Sequence, residues 1–151
     1  MGSDFLDIWF SGFSESIDKM DPETRSQLLA PCAKACSDSY PAKAFAEAYK
    51  KASNMESFLR DIEEKMQGIS IEINDDGTVV FVYPQCYCDL HTQGYVDTPK
   101  MCDCSRLNLT YNFEAAFGKD CVEVTLLQSV LGGAQTCRLH VRFLAEVTFP
   151  G

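Results

Sequence analysis

The chain has 151 residues, 46% hydrophobic and 23% charged, which is the usage of one ordinary globular domain with a core of its own. Its formal net charge is −9, from 22 acidic against 13 basic residues, and no run of Lys or Arg forms a patch. Such a surface repels phosphate backbones and anionic membranes, which excludes nucleic acid and membrane as expected partners and leaves a small-molecule ligand or a basic protein.

In chain order, Met1-Gly2-Ser3-Asp4 carries an acid where a secretory leader needs positive charge, which predicts a cytoplasmic protein. Thiols stay reduced there, so the eight cysteines read as ligands, nucleophiles or core residues before they read as disulfides. Phe5, Ile8, Trp9 and Phe13 recur at helical spacing. Exposing them is costly, and a homodimer is one way to cover them. Asp21-Pro22-Glu23-Thr24 starts a second helix, with Asp21 as N-cap and Pro22 in the first turn. That helix runs through Leu28 and Leu29 toward Cys36, and Pro31 inside it predicts a kink or a division. A third helix spans about 41–52, with Phe45, Ala48 and Tyr49 on one face. Asn54 caps a fourth, with Phe58, Leu59, Ile62 and Met66 inward and Gly68 as its C-cap.

After this helical part, residues 1–67, the pattern changes. Ile69, Ile71 and Ile73 alternate, Asn74-Asp75-Asp76-Gly77 turns the chain, and Thr78 to Tyr83 returns as a second strand ended by Pro84. Residues 85–104 read as one long loop. Ser105 is placed to cap a helix that contains Leu109, Phe113, Ala116 and Phe117 and stops at Gly118. Val122, Val124 and Leu126 then alternate with polar positions, and Cys121 falls on the face opposite Val122. A Gly132-Gly133 turn leads to a last strand with Cys137, Leu139, Val141 and Phe143 on one face and Arg138, His140 and Arg142 on the other. The prediction is a single α+β domain: N-terminal helices packed on one face of a mainly antiparallel sheet, with a cysteine-rich loop.

The loop carries the chemistry. Cys86-Tyr87-Cys88 and Cys102-Asp103-Cys104 are two Cys-x-Cys pairs with thirteen residues between them. Thiolates are soft ligands, and four of them suit tetrahedral zinc or, alternatively, an iron–sulfur cluster. In an extended segment residues i and i+2 point the same way, so each pair can chelate one ion. Cys32 and Cys36, one helical turn apart, are further candidate ligands on one face. His91 is a candidate nitrogen ligand or base, and the one histidine close enough in sequence to activate Cys86 or Cys88 as a nucleophile. Cys137 reads as core and Cys121 has no role. His140 reads as surface or pocket rim. Asp89, Asp97 and Asp103 read as solvated loop acids, with a hydrogen bond orienting a ligand as a second use for Asp103. Strained disulfides within the Cys-x-Cys pairs are a weaker, redox reading.

The segments Cys102-Asp103-Cys104-Ser105, Phe117-Gly118-Lys119, Val122-Glu123-Val124, Leu126-Leu127-Gln128-Ser129, Val130-Leu131-Gly132-Gly133 and Cys137-Arg138-Leu139 resemble the C-terminal half of two related groups. One is the 4-vinyl-reductase-type small-molecule-binding domain. The other is the L-2-amino-thiazoline-4-carboxylic acid hydrolase-like group, with cysteine-rich bacterial relatives of poorly characterised function. Tyr83-Pro84-Gln85-Cys86-Tyr87-Cys88 and the helical Cys32 and Cys36 resemble those relatives more loosely. The resemblance implies an α+β fold enclosing a ligand pocket, with the cysteine loop beside it and Cys137 in the pattern of the last hairpin. It carries no reaction. Two functions from different classes follow. One is a zinc-stabilised small-molecule-binding or sensory domain whose pocket Tyr83, Tyr87 and Phe113 line. The other is a hydrolase of a small cyclic amide or thiazoline-type substrate, using metal-activated water or a cysteine nucleophile.

Overall fold

A computed structural model describes residues 3–66 and 68–150, Ser3 and Asp4 by backbone alone. Four helices come first: α1 Ser3–Lys19, α2 Pro22–Ser39, α3 Pro41–Lys51 and α4 Met55–Lys65. Asp21 caps α2 through its carboxylate, which accepts from the Thr24 N–H and the Thr24 hydroxyl, each at 2.9 Å. Pro31 does not divide α2, which runs unbroken to Ser39. Pro31 and Gln27 are both exposed, so water can take the carbonyl left without a donor. Pro41 follows instead, and Tyr40 before it leaves helical geometry at φ −162°, which ends α2 and starts α3. Asn54 and Ser57 cap α4 reciprocally: Asn54 Oδ1 accepts from the Ser57 N–H at 2.8 Å and Ser57 Oγ from the Asn54 N–H at 3.3 Å.

The sheet has four strands, β1 Ser70–Ile73, β2 Val79–Tyr83, β3 Val122–Gln128 and β4 Cys137–Phe143, in the order β1-β2-β4-β3 with every pair antiparallel. In the first hairpin Asn74 N–H donates to the Thr78 carbonyl at 2.9 Å, and Gly77 takes the φ of 88° that the turn requires. Ile69 and Ile71 are buried, while Ile73 at the end of the edge strand is exposed. Cys121 departs from the expected face. It lies before β3, after Asp120 at φ 58°, so strand alternation does not reach it and its side chain is buried in the core.

The expected loop 85–104 is only partly a loop. It contains a short helix α5, Asp89–Thr92, and a 3-10 turn, Pro99–Cys102, and it ends inside α6, Asp103–Phe117. That last helix begins two residues before Ser105, with an acid at its positive end and no side-chain cap from Cys102.

Helices α3, α4 and α6 cover the sheet, and aromatic rings fill the space between. Phe113 of α6 is fully buried and meets Phe45, Phe81 and Phe143 edge-on, with centroids 5.1, 5.7 and 5.6 Å away. A second, smaller core joins Ile17, Leu29, Val96 and Met101, which fixes α1 and α2 to the segment leading into α6. Phe5, Ile8 and Trp9 on the outer side of α1 remain exposed. Among the described residues no helix is long and apolar enough to cross a membrane.

Candidate metal centre

Three regions carry the predicted cysteines, and two helices bring them to one end of the molecule. Helices α2 and α6 lie side by side in the same direction. Ser26 donates to Asp103 at 2.8 Å, the Asn108 amide to the Ala33 carbonyl at 3.4 Å, and Ser37 to Asn112 at 2.5 Å. Cys32 and Cys36 stand on the exposed side of α2. Cys102 closes the 3-10 turn and is buried, and Cys104 lies half-buried in the first turn of α6. Between them runs the segment from β2 to α5, with Cys86 half-buried and Cys88 exposed at the N-cap of α5. The Cys88 carbonyl accepts from His91 N–H at 3.0 Å and Thr92 N–H at 2.9 Å, which fixes the backbone on one side of that sulfur.

The second Cys-x-Cys pair does not behave as an extended chelate. Residues i and i+2 on a helix lie about 200° apart around the axis, so Cys102 and Cys104 face different neighbours. The electrostatics record the division. Burial first, then the charges of Cys88, Cys36, Cys32 and Asp103, push the Cys104 thiol up to about 12. Burial also pushes Cys102 up to about 11. The nearby Ser129 opposes that rise, and the charges of Cys137, Cys86 and Cys88 add to it. Cys86 is raised by burial and by Cys88 and Cys137, against a hydrogen bond from the Cys88 N–H. Cys36, although its side chain reaches solvent, is raised by the protein around it and then by Cys88 and Asp89. Burial first and neighbouring sulfurs second therefore raise Cys36, Cys86, Cys102 and Cys104, with Cys32 and Cys88 among the contributing charges. Among the described residues no three His, Cys, Asp or Glu side chains stand arranged to hold an ion.

Cys137 belongs with this group, although alternation along the strand assigns it to the core. It is half-buried at the start of β4, opposite Tyr83, and its Sγ accepts from the Val130 N–H at 3.3 Å. Its register was the available signal, since Tyr83 stands three residues before Cys86. Ser129 is the other residue missed. It is buried beside Cys102, and its hydroxyl accepts from the Gly132 N–H at 3.0 Å. Cys121 lies apart: burial, Glu114 and Asp120 raise it to about 11, and no other cysteine contributes.

Asp103 is not a solvated acid. Burial alone would raise its carboxyl, but hydrogen bonds from Arg106 and Ser26 and the charges of Arg106 and Arg25 hold it below the usual range. It clasps α6 to α2 beside the sulfurs. Asp89 stands near Cys36, and Asp97 lines a shallow depression with Asp7, Ser11, Ser14, Gly94 and Tyr95. His91 is half-buried in α5, and among the described residues its ring makes no hydrogen bond. His140 is half-buried on β4, where its charge reaches Asp76. The expected aromatic pocket is not formed as pictured. Phe113 is core, and Tyr87 packs on the backbone of Gly68, with its hydroxyl 2.5 Å from where a Cβ would stand. An open depression of about 230 Å³ lies between Arg25, Pro99, Lys100, Asp103 and Leu126.

The profile of a family described as a family of unknown function, DUF6144, matches residues 10–148. The chain belongs to the DUF6144 family. No curated protein matches it. That membership agrees with the resemblance only as far as a family of uncharacterised function, and it lends no support to the 4-vinyl-reductase-type or hydrolase-like relationship. All eight cysteines of this DUF6144 chain lie within the matched span.

Proposed function

We propose that this DUF6144 chain is a metal-binding domain whose cysteine cluster takes a soft divalent cation, zinc first, as a structural centre. One observation supports the reading above the others: Cys36, Cys86, Cys102 and Cys104, from three separate segments, are each raised first by burial and then further by the charges of neighbouring cysteines, Cys32 and Cys88 among them. A zinc ion would replace mutual repulsion by ligation and release the protons as it binds. An iron–sulfur cluster draws on the same donors.

A closed four-thiolate site leaves no position for a reacting water, so the ion stabilises and does not catalyse. It would staple α2, the β2–α5 segment and the start of α6, none of which the main aromatic core reaches. Under the resemblance to small-molecule-binding domains, that staple would shape a ligand site, for which the depression lined by Arg25, Lys100 and Asp103 is one candidate.

The test is the metal content of the chain purified under reducing conditions, with thiol titration and thermal melting before and after chelation. Stoichiometric zinc, thiols that react only after chelation, and a lower Tm in chelator are expected. A metal-free chain that fails to take up added zinc and melts unchanged in chelator rejects the reading.

A further inference from the structure

We propose that the outer face of α1 is a self-association surface, on which a second copy of this chain packs its own α1 antiparallel across Gly12. The inference is independent of the metal-binding reading above.

Successive helical residues turn by about 100°, so Phe5, Ile8, Trp9, Gly12 and Ser16 form one stripe along α1. The stripe faces away from the side on which Phe10, Phe13 and Ile17 pack into the smaller core. In it Phe5, Ile8 and Trp9 are 67%, 73% and 53% exposed. Each leaves about 130 Å² of apolar surface in water, so one chain exposes about 400 Å² there. Two copies meeting on this face would remove about 800 Å², the apolar share of an interface at the small end of the usual range of about 1,200–2,000 Å². Trp9 is already held in place. Its ring stacks on Phe13 at 5.6 Å and meets Phe10 edge-on at 5.2 Å, and Phe10 stacks on Tyr95 at 5.3 Å. A ring fixed in advance loses little freedom on docking.

Three features of the stripe point to a second copy as the occupant. After proline, glycine is the least favourable residue in a helix interior. A Cβ at Gly12 would meet nothing within 4 Å, so its own domain has no need of the small residue. A helix crossing there at close range does need it. Next, the large side chains occupy the first half of the stripe and the small ones, Gly12 and Ser16, the second. Antiparallel pairing about Gly12 therefore sets large on small at both ends: Ile8 and Trp9 over the partner's Ser16, and Phe5 over the aliphatic stem of the partner's Lys19. Such a face is complementary to itself about a two-fold axis. Finally, the charges at the C-terminal end of the stripe meet each other, with Lys19 Nζ donating to Glu15 Oε1 at 2.7 Å. The net charge of −9 disfavours an anionic membrane as the cover. Two such chains also repel at a distance, so added salt should tighten this pair, whereas it would weaken the hold of a basic partner.

The experiment is sedimentation velocity on the full chain under reducing conditions, so that no disulfide between chains mimics the contact. Trp9 is the one tryptophan of the sequence, and its emission reads the same face. A closed dimer is expected, with Trp9 emission moving to the red as dilution separates the copies. Ile8→Glu and Gly12→Leu stand at exposed positions and should leave the circular dichroism unchanged. Each should weaken the pair about tenfold or more, as loss of a central contact does. Gly12→Leu adds apolar surface, so a merely sticky face would associate more strongly, which overturns the close crossing. Ile8→Gln repeats the test should the charged variant fold poorly. Photoreactive benzoylphenylalanine in place of Phe5 should cross-link to residues 16–19 of the second copy, and a cross-link to its residues 4–9 overturns the antiparallel arrangement. A chain monomeric at millimolar concentration, open-ended assembly, or a dimer indifferent to both variants overturns the proposal. So does a monomer whose Trp9 emission shifts only with a Leu–Lys amphipathic peptide or with phosphatidylcholine vesicles, which assigns the face to that occupant.

Discussion

The pairing of α2 with α6, which sets where Cys32 and Cys36 stand relative to Cys104, depends on a buried polar contact that a single atom can remove. Ser37 and Asn112 are 0% and 1% exposed, and Ser37 Oγ donates to Asn112 Oδ1 at 2.5 Å. Asn112 Nδ2 in turn donates to Asn108 Oδ1 at 3.1 Å, and Asn108 reaches the Ala33 carbonyl. Ser37→Ala deletes the donor and leaves a buried carbonyl oxygen unsatisfied, at a cost of about 1–3 kcal/mol. Alanine regains about 0.5 kcal/mol of helix propensity, so the expected net loss is about 1–2 kcal/mol. For a chain of this length each kcal/mol corresponds to about 2–4 °C, so Tm should fall by about 2–8 °C. Urea denaturation should show a lower midpoint at unchanged m-value. Pairing it with Asn112→Leu removes both polar groups, and the double variant should lose less than the sum of the singles, with a coupling of about 1 kcal/mol. A Ser37→Ala chain within about 0.3 kcal/mol of wild type would refute the argument, because it would mean that water or another donor already reaches that oxygen.

Phe113→Ala should cost about 3–5 kcal/mol by denaturation, since a fully buried ring at the junction of Phe45, Phe81 and Phe143 leaves a cavity that a sheet cannot collapse into. Gly68→Ala places a Cβ 2.5 Å from the Tyr87 hydroxyl at a φ of 95°, so about 1–2 kcal/mol should be lost and Tyr87 displaced from its place between Cys86 and Cys88. Adding Tyr87→Phe should recover only the steric share, and full recovery would show that backbone strain contributes nothing. Asp21 is held below its ordinary 3.8, first by the Thr24 N–H and then by the Thr24 hydroxyl. Its contribution is therefore complete above that value and fades as pH falls below it, through the lower folded value. Asp21→Asn keeps a cap but cannot titrate, so the pH–stability curves of the two chains should run together at neutral pH and diverge only in acid. Curves that stay parallel into acid would remove Asp21 from the acid response.

What was legible locally was legible for local reasons. The caps at Asp21 and Asn54, the Asn74–Gly77 turn and the stop at Gly118 depend on residues within four positions of one another, and all are present. The errors have the same origin. Of the kink or division expected at Pro31, the division does not occur, because an exposed carbonyl has water for a partner. Ser105 looked like a cap, but Asp103 starts the helix earlier because Ser26, Arg25 and Arg106 meet its carboxylate from two helices. No spacing along the chain encodes that meeting.

By itself, the amino-acid sequence determined the α+β class, the order of helices and strands, and the residue types able to hold a soft metal, because periodicity, capping and thiol chemistry are properties of short segments. Tertiary structure alone decided which sulfurs become neighbours. The parallel packing of α2 on α6 brings Cys32 and Cys36 toward Cys104, helix phase separates Cys104 from Cys102, and antiparallel register carries Cys137 to Cys86. The first and last of these join residues about fifty or more positions apart. Only the burial of a shared core, and no local preference, fixes a distance across such a span.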